Sequence, residues 1–250
     1  MNLAYQSLRC LVKPIQWCTM PATVLHAERL AIDGPCIIAP THISHLEPFV
    51  VSMLVKREVR WMARTEFYKF LPFKIGLDVV GAFPVHRQGY ARPSMREALR
   101  LLSEGEQVGV FPEAGVSRRQ YSAMRGGPIK HGAAYLAVHG RVPIVPLAVV
   151  GTHAMNRVAP WRPFRHAAVY MAVGEPIVAG PMPQTPGGKR TMRHELSEQM
   201  RDAYQALYRE LLALDGVDDR HDLHPGESDD PSAVKVDPYA AAGDARVEAT

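Results

Sequence analysis

The most direct chemistry in this sequence comes from two residues five apart, His42 and Glu47, in the run Pro40-Thr41-His42-Ile43-Ser44-His45-Leu46-Glu47-Pro48. An imidazole titrates near neutral pH. A carboxylate bonded to one ring nitrogen fixes its tautomer and leaves the other nitrogen free to accept a proton. A base held this way contributes typically about 10²–10⁴-fold to a proton-transfer step. On one continuous helix, at 3.6 residues per turn, the two side chains would lie about 140° apart and could not touch. They can meet only if His42 rides on a loop and Glu47 opens the following helix, with Pro48 suited to its first turn. The same run also reads as a Ser44-x-x-Glu47 capping box, which needs no chemistry.

Two more runs place reactive or charged groups directly after apolar stretches. His86-Arg87 follows 79–85, and Pro112-Glu113-Ala114-Gly115-Val116-Ser117-Arg118 follows 108–111. A guanidinium such as that of Arg87 offers paired hydrogen bonds to phosphate oxygens. His42, His45 and Glu47 are three possible metal ligands packed into six residues, which is poor zinc spacing. Ser44 and Ser117 stand in no Gly-x-Ser-x-Gly elbow, and Gly187-Gly188-Lys189 lacks the spacing of a phosphate-binding loop.

Stretches rich in Val and Ile and bounded by Gly or Pro read as strands at 23–27, 36–39, 59–63, 79–85, 108–111, 143–150 and 167–173. Helices are expected over 2–20, 48–56, 93–103, 127–139 and 192–214. In 93–103, Met95, Ala98, Leu99 and Leu102 share one stripe while Arg96, Glu97 and Arg100 lie off it. This alternation predicts an α/β fold whose mixed, largely parallel sheet is flanked by helices. If the strands run parallel, the three chemical runs converge outside their carboxyl ends, where such folds build ligand sites.

The segments, taken in order, resemble the glycerolipid acyltransferase family, the lysophosphatidic acid acyltransferases and their relatives. Thr41-His42 through Glu47 resembles the family's Asn-His-x4-Asp, and Gly81-Ala82-Phe83-Pro84-Val85-His86-Arg87 its Gly-aromatic-x-x-Arg. Phe111-Pro112-Glu113-Ala114-Gly115-Val116-Ser117-Arg118 is similar to Phe-Pro-Glu-Gly-Thr-Arg-Ser. Lys130-His131-Gly132-Ala133-Ala134 and Val142-Pro143-Ile144-Val145-Pro146 look like the later family segments. The resemblance spans about 23–176.

It implies O-acyl transfer from acyl-CoA or acyl-carrier protein to a lysophospholipid hydroxyl, 1-acylglycerol-3-phosphate foremost, without a metal or prosthetic group. His42 would be the base and Glu47 its orienting carboxylate. Arg87 would hold the acceptor's phosphate and Glu113 its glycerol hydroxyls. Main-chain N–H groups of Ala114 and Gly115 would face phosphate or the developing oxyanion, with Arg118 and Lys130 adding positive charge. Two departures stand out: Glu47 replaces the family's Asp, and Ala114-Gly115 replaces Gly-Thr. They leave open a non-catalytic lipid-binding member of the same fold. A metal-dependent hydrolase built on His42, His45 and Glu47 is a further alternative.

The 250 residues are 47% hydrophobic and 22% charged, a composition that excludes wholesale disorder. Three irregularly spaced cysteines, Cys10, Cys18 and Cys36, make no disulfide framework and fit a reducing compartment. The charge is uneven. Residues 215–250 carry ten acids and three bases, while 1–214 carry 26 bases and 15 acids, a net of +11. A basic body points to phosphate-bearing partners. The resemblance narrows these to a lysophospholipid, an acyl thioester and the cytosolic membrane surface rather than nucleic acid. Leu8, Leu11, Val12 and Ile15, flanked by Arg9, Lys13 and Trp17, give segment 1–22 a face suited to membrane contact. The expected organisation is this helical segment, an acyltransferase domain over 23–214 and a disordered acidic tail over 215–250. The expected location is cytoplasmic, peripheral on the inner face of the membrane.

Overall fold

The computed structural model describes residues 6–7, 10, 21–44, 47–69, 71, 74, 77–78, 81–85, 91–116, 121–152, 168–218 and 221. Within these, the apolar runs form seven strands: β1 (Ala22–Leu25), β2 (Ile37–Pro40), β3 (Val59–Arg64), β4 (Phe83–Val85), β5 (Gln107–Gly109), β6 (Ile144–Val150) and β7 (Val169–Val173). They build one sheet in the order β1-β7-β6-β2-β5-β3-β4. Every neighbouring pair is parallel except β6 and β7. The expected α/β architecture with a mixed, largely parallel sheet is therefore present.

Four α-helices accompany the sheet among the described residues: α1 (Glu47–Leu54), α2 (Ala91–Ser103), α3 (Gly132–Gly140) and α4 (Pro186–Leu212). Side chains of a strand alternate between faces, so the sheet is apolar on both. On one side Ile37, Ala39, Val108 and Ile144 pack with Ala98 and Leu102 of α2, Ala134 and Leu136 of α3, and Met200 and Tyr204 of α4. On the other, Cys36, Ile38, Val145, Leu147 and Val149 meet Val50 and Val51 of α1. The stripe foreseen in α2 is the one that faces inward, and Arg100 pairs with Glu97 and Glu104 at the surface.

Several boundaries differ from expectation for local reasons. In the described part of the expected run 79–85, residues 81–85, the strand is Phe83–Val85, because Gly81 turns the chain at φ +63° just before it. Helix α3 begins at Gly132 rather than 127. Before it lies a short 3₁₀ turn, Ala123–Arg125, capped by the Ser122 hydroxyl and closed by left-handed Gly126. Helix α4 starts six residues earlier than its apolar pattern, at Pro186, because Thr185 accepts a hydrogen bond from the Gly188 N–H and caps it. Within the expected tail, Val217 is buried with Ile43, Leu207 and Leu211, and the His221 carbonyl accepts the Gly151 N–H at 2.7 Å, so these two described residues are docked on the domain. All the residues named for the expected membrane-contact face, Leu8, Arg9, Leu11, Val12, Lys13, Ile15 and Trp17, and residues 222–250, lie outside the described residues. Among the described residues no helix is long and apolar enough to cross a membrane.

Candidate active site

Strand β2 lies between β5 and β6 with Ile37 in register with Val108 and Ile144, so all three chains leave the sheet at the same edge. Beyond β2, the Thr41 N–H bonds the Leu147 carbonyl at 2.9 Å, and the Thr41 hydroxyl accepts from the Val149 N–H at 3.0 Å. The next residue, His42, is therefore carried on a loop whose root is tied to β6.

Helix α1 opens at Glu47, as the five-residue spacing required. His42 Nδ1 and Glu47 Oε2 are 3.0 Å apart. The other carboxylate oxygen, Oε1, accepts the Thr152 hydroxyl at 2.5 Å. Both oxygens of this fully buried carboxylate are thus engaged by side chains, which favours the paired acid over the capping box. The His42 side chain retains 12% exposure. With an ionised carboxylate as partner, Nδ1 is the donor, and Nε2 is the ring nitrogen suited to accept a proton. The ring also stacks on Phe111 at 4.0 Å between centroids, and Phe111 stacks on Trp61 of β3 at 5.3 Å. The Trp61 indole N–H donates to the Ser52 hydroxyl on α1 at 2.8 Å, which closes the ring of supports.

Glu113, two residues beyond Phe111, is turned into the protein. Its Oε2 accepts the His42 main-chain N–H at 2.5 Å. Its Oε1 accepts the Ala123 N–H at 2.7 Å and the Ser122 hydroxyl at 3.2 Å. Burial raises the Glu113 carboxyl above its ordinary range, against the opposing pull of these donors and of His42. Three of a carboxylate's roughly four acceptor positions are so occupied by protein. Tyr204 of α4 donates its hydroxyl to the Ala39 carbonyl at 2.8 Å, and burial with the nearby Glu113 charge raises its pKa well above that of a free phenol.

The third run turns at Pro112-Glu113, with the Ala114 N–H bonded to the Phe111 carbonyl at 3.0 Å. Ala114 adopts φ +58°, the region that glycine occupies without strain. Gly115 follows it. Lys130 is exposed, and its N–H bonds the Pro112 carbonyl at 2.8 Å, which ties the approach to α3 onto the same turn. Arg87, Arg118 and His45 lie outside the described residues. The structure thus brings together His42, Glu47, Glu113, Ala114 and the Lys130 backbone.

Thr152 was not foreseen. The only hint in the sequence is its place, one residue after a glycine at the carboxyl end of the apolar run beside β2. Nothing in the local sequence marks Phe111 as a support for the His42 ring or Ser122 as a donor to Glu113.

The chain is similar to known proteins. A sequence model of the Acyltransferase family matches residues 22–150. The chain is 25% identical over 187 residues to the 1-acyl-sn-glycerol-3-phosphate acyltransferase of Bacillus subtilis (strain 168), covering 74% of this chain and 88% of that one. It is 24% identical over 147 residues to the chloroplastic 1-acyl-sn-glycerol-3-phosphate acyltransferase BAT2 of Brassica napus, covering 58% of this chain and 41% of that protein. Its fold is similar to the crystal structure of the 1-acyl-sn-glycerophosphate (LPA) acyltransferase PlsC from Thermotoga maritima. The TM-score is 0.64 at 20% identity, over 84% of this chain and 80% of that one. With the family match spanning β1 through β6 and the His42–Glu47 pair inside it, the chain belongs to the glycerolipid acyltransferase family.

Proposed function

We propose that this acyltransferase moves a fatty acyl group from acyl-CoA or acyl-carrier protein to the free hydroxyl of a lysophospholipid, 1-acylglycerol-3-phosphate first among them. The observation that carries this is the 3.0 Å pairing of His42 Nδ1 with a fully buried Glu47 at the carboxyl edge of the sheet. The curated relatives bear that acceptor in their names.

In the reaction, His42 Nε2 takes the hydroxyl proton as the acceptor oxygen attacks the thioester carbon. The positive charge formed on the ring is offset by Glu47. Collapse of the tetrahedral adduct breaks the carbon–sulfur bond, and the departing thiolate takes the proton back from His42. No covalent enzyme intermediate is needed. Glu113 acts through the loop by holding the His42 main chain. Arg87, Arg118 and Lys130 supply positive charge for the acceptor's phosphate, and the turn at Ala114-Gly115 supplies N–H groups for phosphate or oxyanion. The net charge of +11 on residues 1–214 suits work at the inner face of an anionic membrane.

The test supplies acyl-CoA or acyl-carrier protein with a panel of lysophospholipids, follows thiol release, and identifies products by mass spectrometry. The expected result is thiol release that requires an acceptor, reduced by about 10²–10⁴-fold in His42→Ala. Thiol release without any acceptor would reassign the chain to hydrolysis. Lipid binding with no release from either donor would make it a non-catalytic binder.

A further inference from the structure

The departure at Glu47 has a partner elsewhere in the chain. A glutamate in place of aspartate adds one methylene and one more rotatable bond, so its carboxylate reaches farther and holds a position less firmly. A buried carboxylate is costly unless its oxygens are hydrogen-bonded. Here Oε2 serves His42 at 3.0 Å and Oε1 receives the Thr152 hydroxyl at 2.5 Å, within the range of a charge-assisted O–H···O⁻ bond. Donors on two different oxygens fix both the reach and the plane of the group. Thr152 is itself fully buried and lies two residues past β6. Its place is set by the β2–β6 register that also anchors Thr41, beside His42. Gly151 at φ +89° makes the bend that leads to it, and a Cβ there would stand 2.1 Å from the Ala168 carbonyl oxygen.

We propose that Thr152 is a positioning residue matched to Glu47: its hydroxyl pins the far carboxylate oxygen, so that the longer acid holds the His42 ring as firmly as a shorter one would. An aspartate at 47 is one methylene too short to meet both Thr152 and His42 from this helix start. The site therefore requires the glutamate and the threonine together. This rests on the acyl-transfer reading above.

The experiment compares Thr152→Val, Thr152→Ser, Glu47→Asp and Thr152→Val/Glu47→Asp in the full chain. It reads kcat and KM together with the tautomer of the His42 ring by side-chain nitrogen–proton NMR. Thr152→Val is expected to lower kcat at least tenfold, with KM for both substrates within about twofold, and to weaken the preference for the Nδ1–H tautomer. Thr152→Ser, which keeps the hydroxyl, is expected to retain at least a third of kcat and the wild-type tautomer. Glu47→Asp loses at least tenfold alone but less than threefold more when Thr152 is already valine.

Wild-type kcat and tautomer in Thr152→Val, or equal losses in the serine and valine variants, overturn the proposal. So do losses that multiply fully in the double variant. If Thr152→Val does not fold, as judged by circular dichroism, the serine variant and Glu47→Asp decide: an active Glu47→Asp with the wild-type tautomer overturns it. A wild-type chain that transfers no acyl group sinks the acyl-transfer reading instead, and the tautomer comparison still decides the role of Thr152.

Discussion

His42 is held from three directions by chemically different means. Glu47 fixes the ring nitrogen, Phe111 supports the ring face, and Glu113 grips the main-chain N–H. For the base proposed above, such placement would start the reaction in the required orientation, and misplacement by about an ångström can cost 10²-fold. The turn that carries Glu113 includes an avoidable local cost. Ala114 sits at φ +58°, where a Cβ costs roughly 1–2 kcal/mol, while glycine loses about 0.5–1 kcal/mol in backbone entropy. Ala114→Gly is accordingly expected to stabilise the fold by about 0.5–1 kcal/mol. It should appear as a higher urea midpoint with an unchanged slope. The family's third segment carries its glycine at this position, and the geometry gives the reason.

At the scale of elements, the aromatic supports depend on a close approach between neighbouring strands. Trp61 of β3 lies flat over Gly109 of β5, where a Cβ would stand 2.3 Å from the Trp61 ring. Because Trp61 stacks on Phe111 and Phe111 on His42, a displacement at Gly109 reaches the His42 ring. Gly109→Ala is expected to cost about 1–3 kcal/mol of stability through overpacking. It should also lower kcat, whereas a change confined to stability would leave turnover per folded molecule untouched. Thermal unfolding together with steady-state kinetics checks both parts. Helix α4 reaches the same region from the opposite face of the sheet, where Tyr204 bonds the Ala39 carbonyl just before the His42 loop.

Over the whole molecule, positive charge gathers where α3 and α4 begin. His131 bonds the Ser197 hydroxyl at 2.8 Å, and its ring lies 5.9 Å from that of His194. Partial burial foremost, then the charges of His194, Arg193, Lys130 and Arg190, hold its imidazole below the ordinary 6.5. The unfolded chain therefore takes up this proton first as the pH falls. The resulting loss of stability is absent well above 6.5 and grows down to the lowered folded-state value. Between pH 7.5 and pH 5, wild type should lose more thermal stability than His131→Asn. Equal pH slopes in parallel melting curves would remove His131 from the account.

How much was legible in the sequence follows from how local each feature is. Apolar runs bounded by Gly and Pro marked every strand of the sheet, because β-branched residues and turn-formers act over a few positions. The spacing of His42 and Glu47, with Pro48 behind, limited their meeting to a loop followed by a helix start. Their resemblance to a family motif indicated which residues to watch. The order of the strands in the sheet, the inward turn of Glu113 and the arrival of Thr152 were not legible. These depend on residues far apart in sequence (His42 and Glu113 by 71 positions, Glu47 and Thr152 by 105, Ile37 and Ile144 by 107), which only strand register brings within bonding distance. The sequence by itself determined the fold class and singled out His42 and Glu47 as the candidate pair. The tertiary structure decided how that pair is held, because hydrogen bonds between distant segments have no signature in local residue pattern.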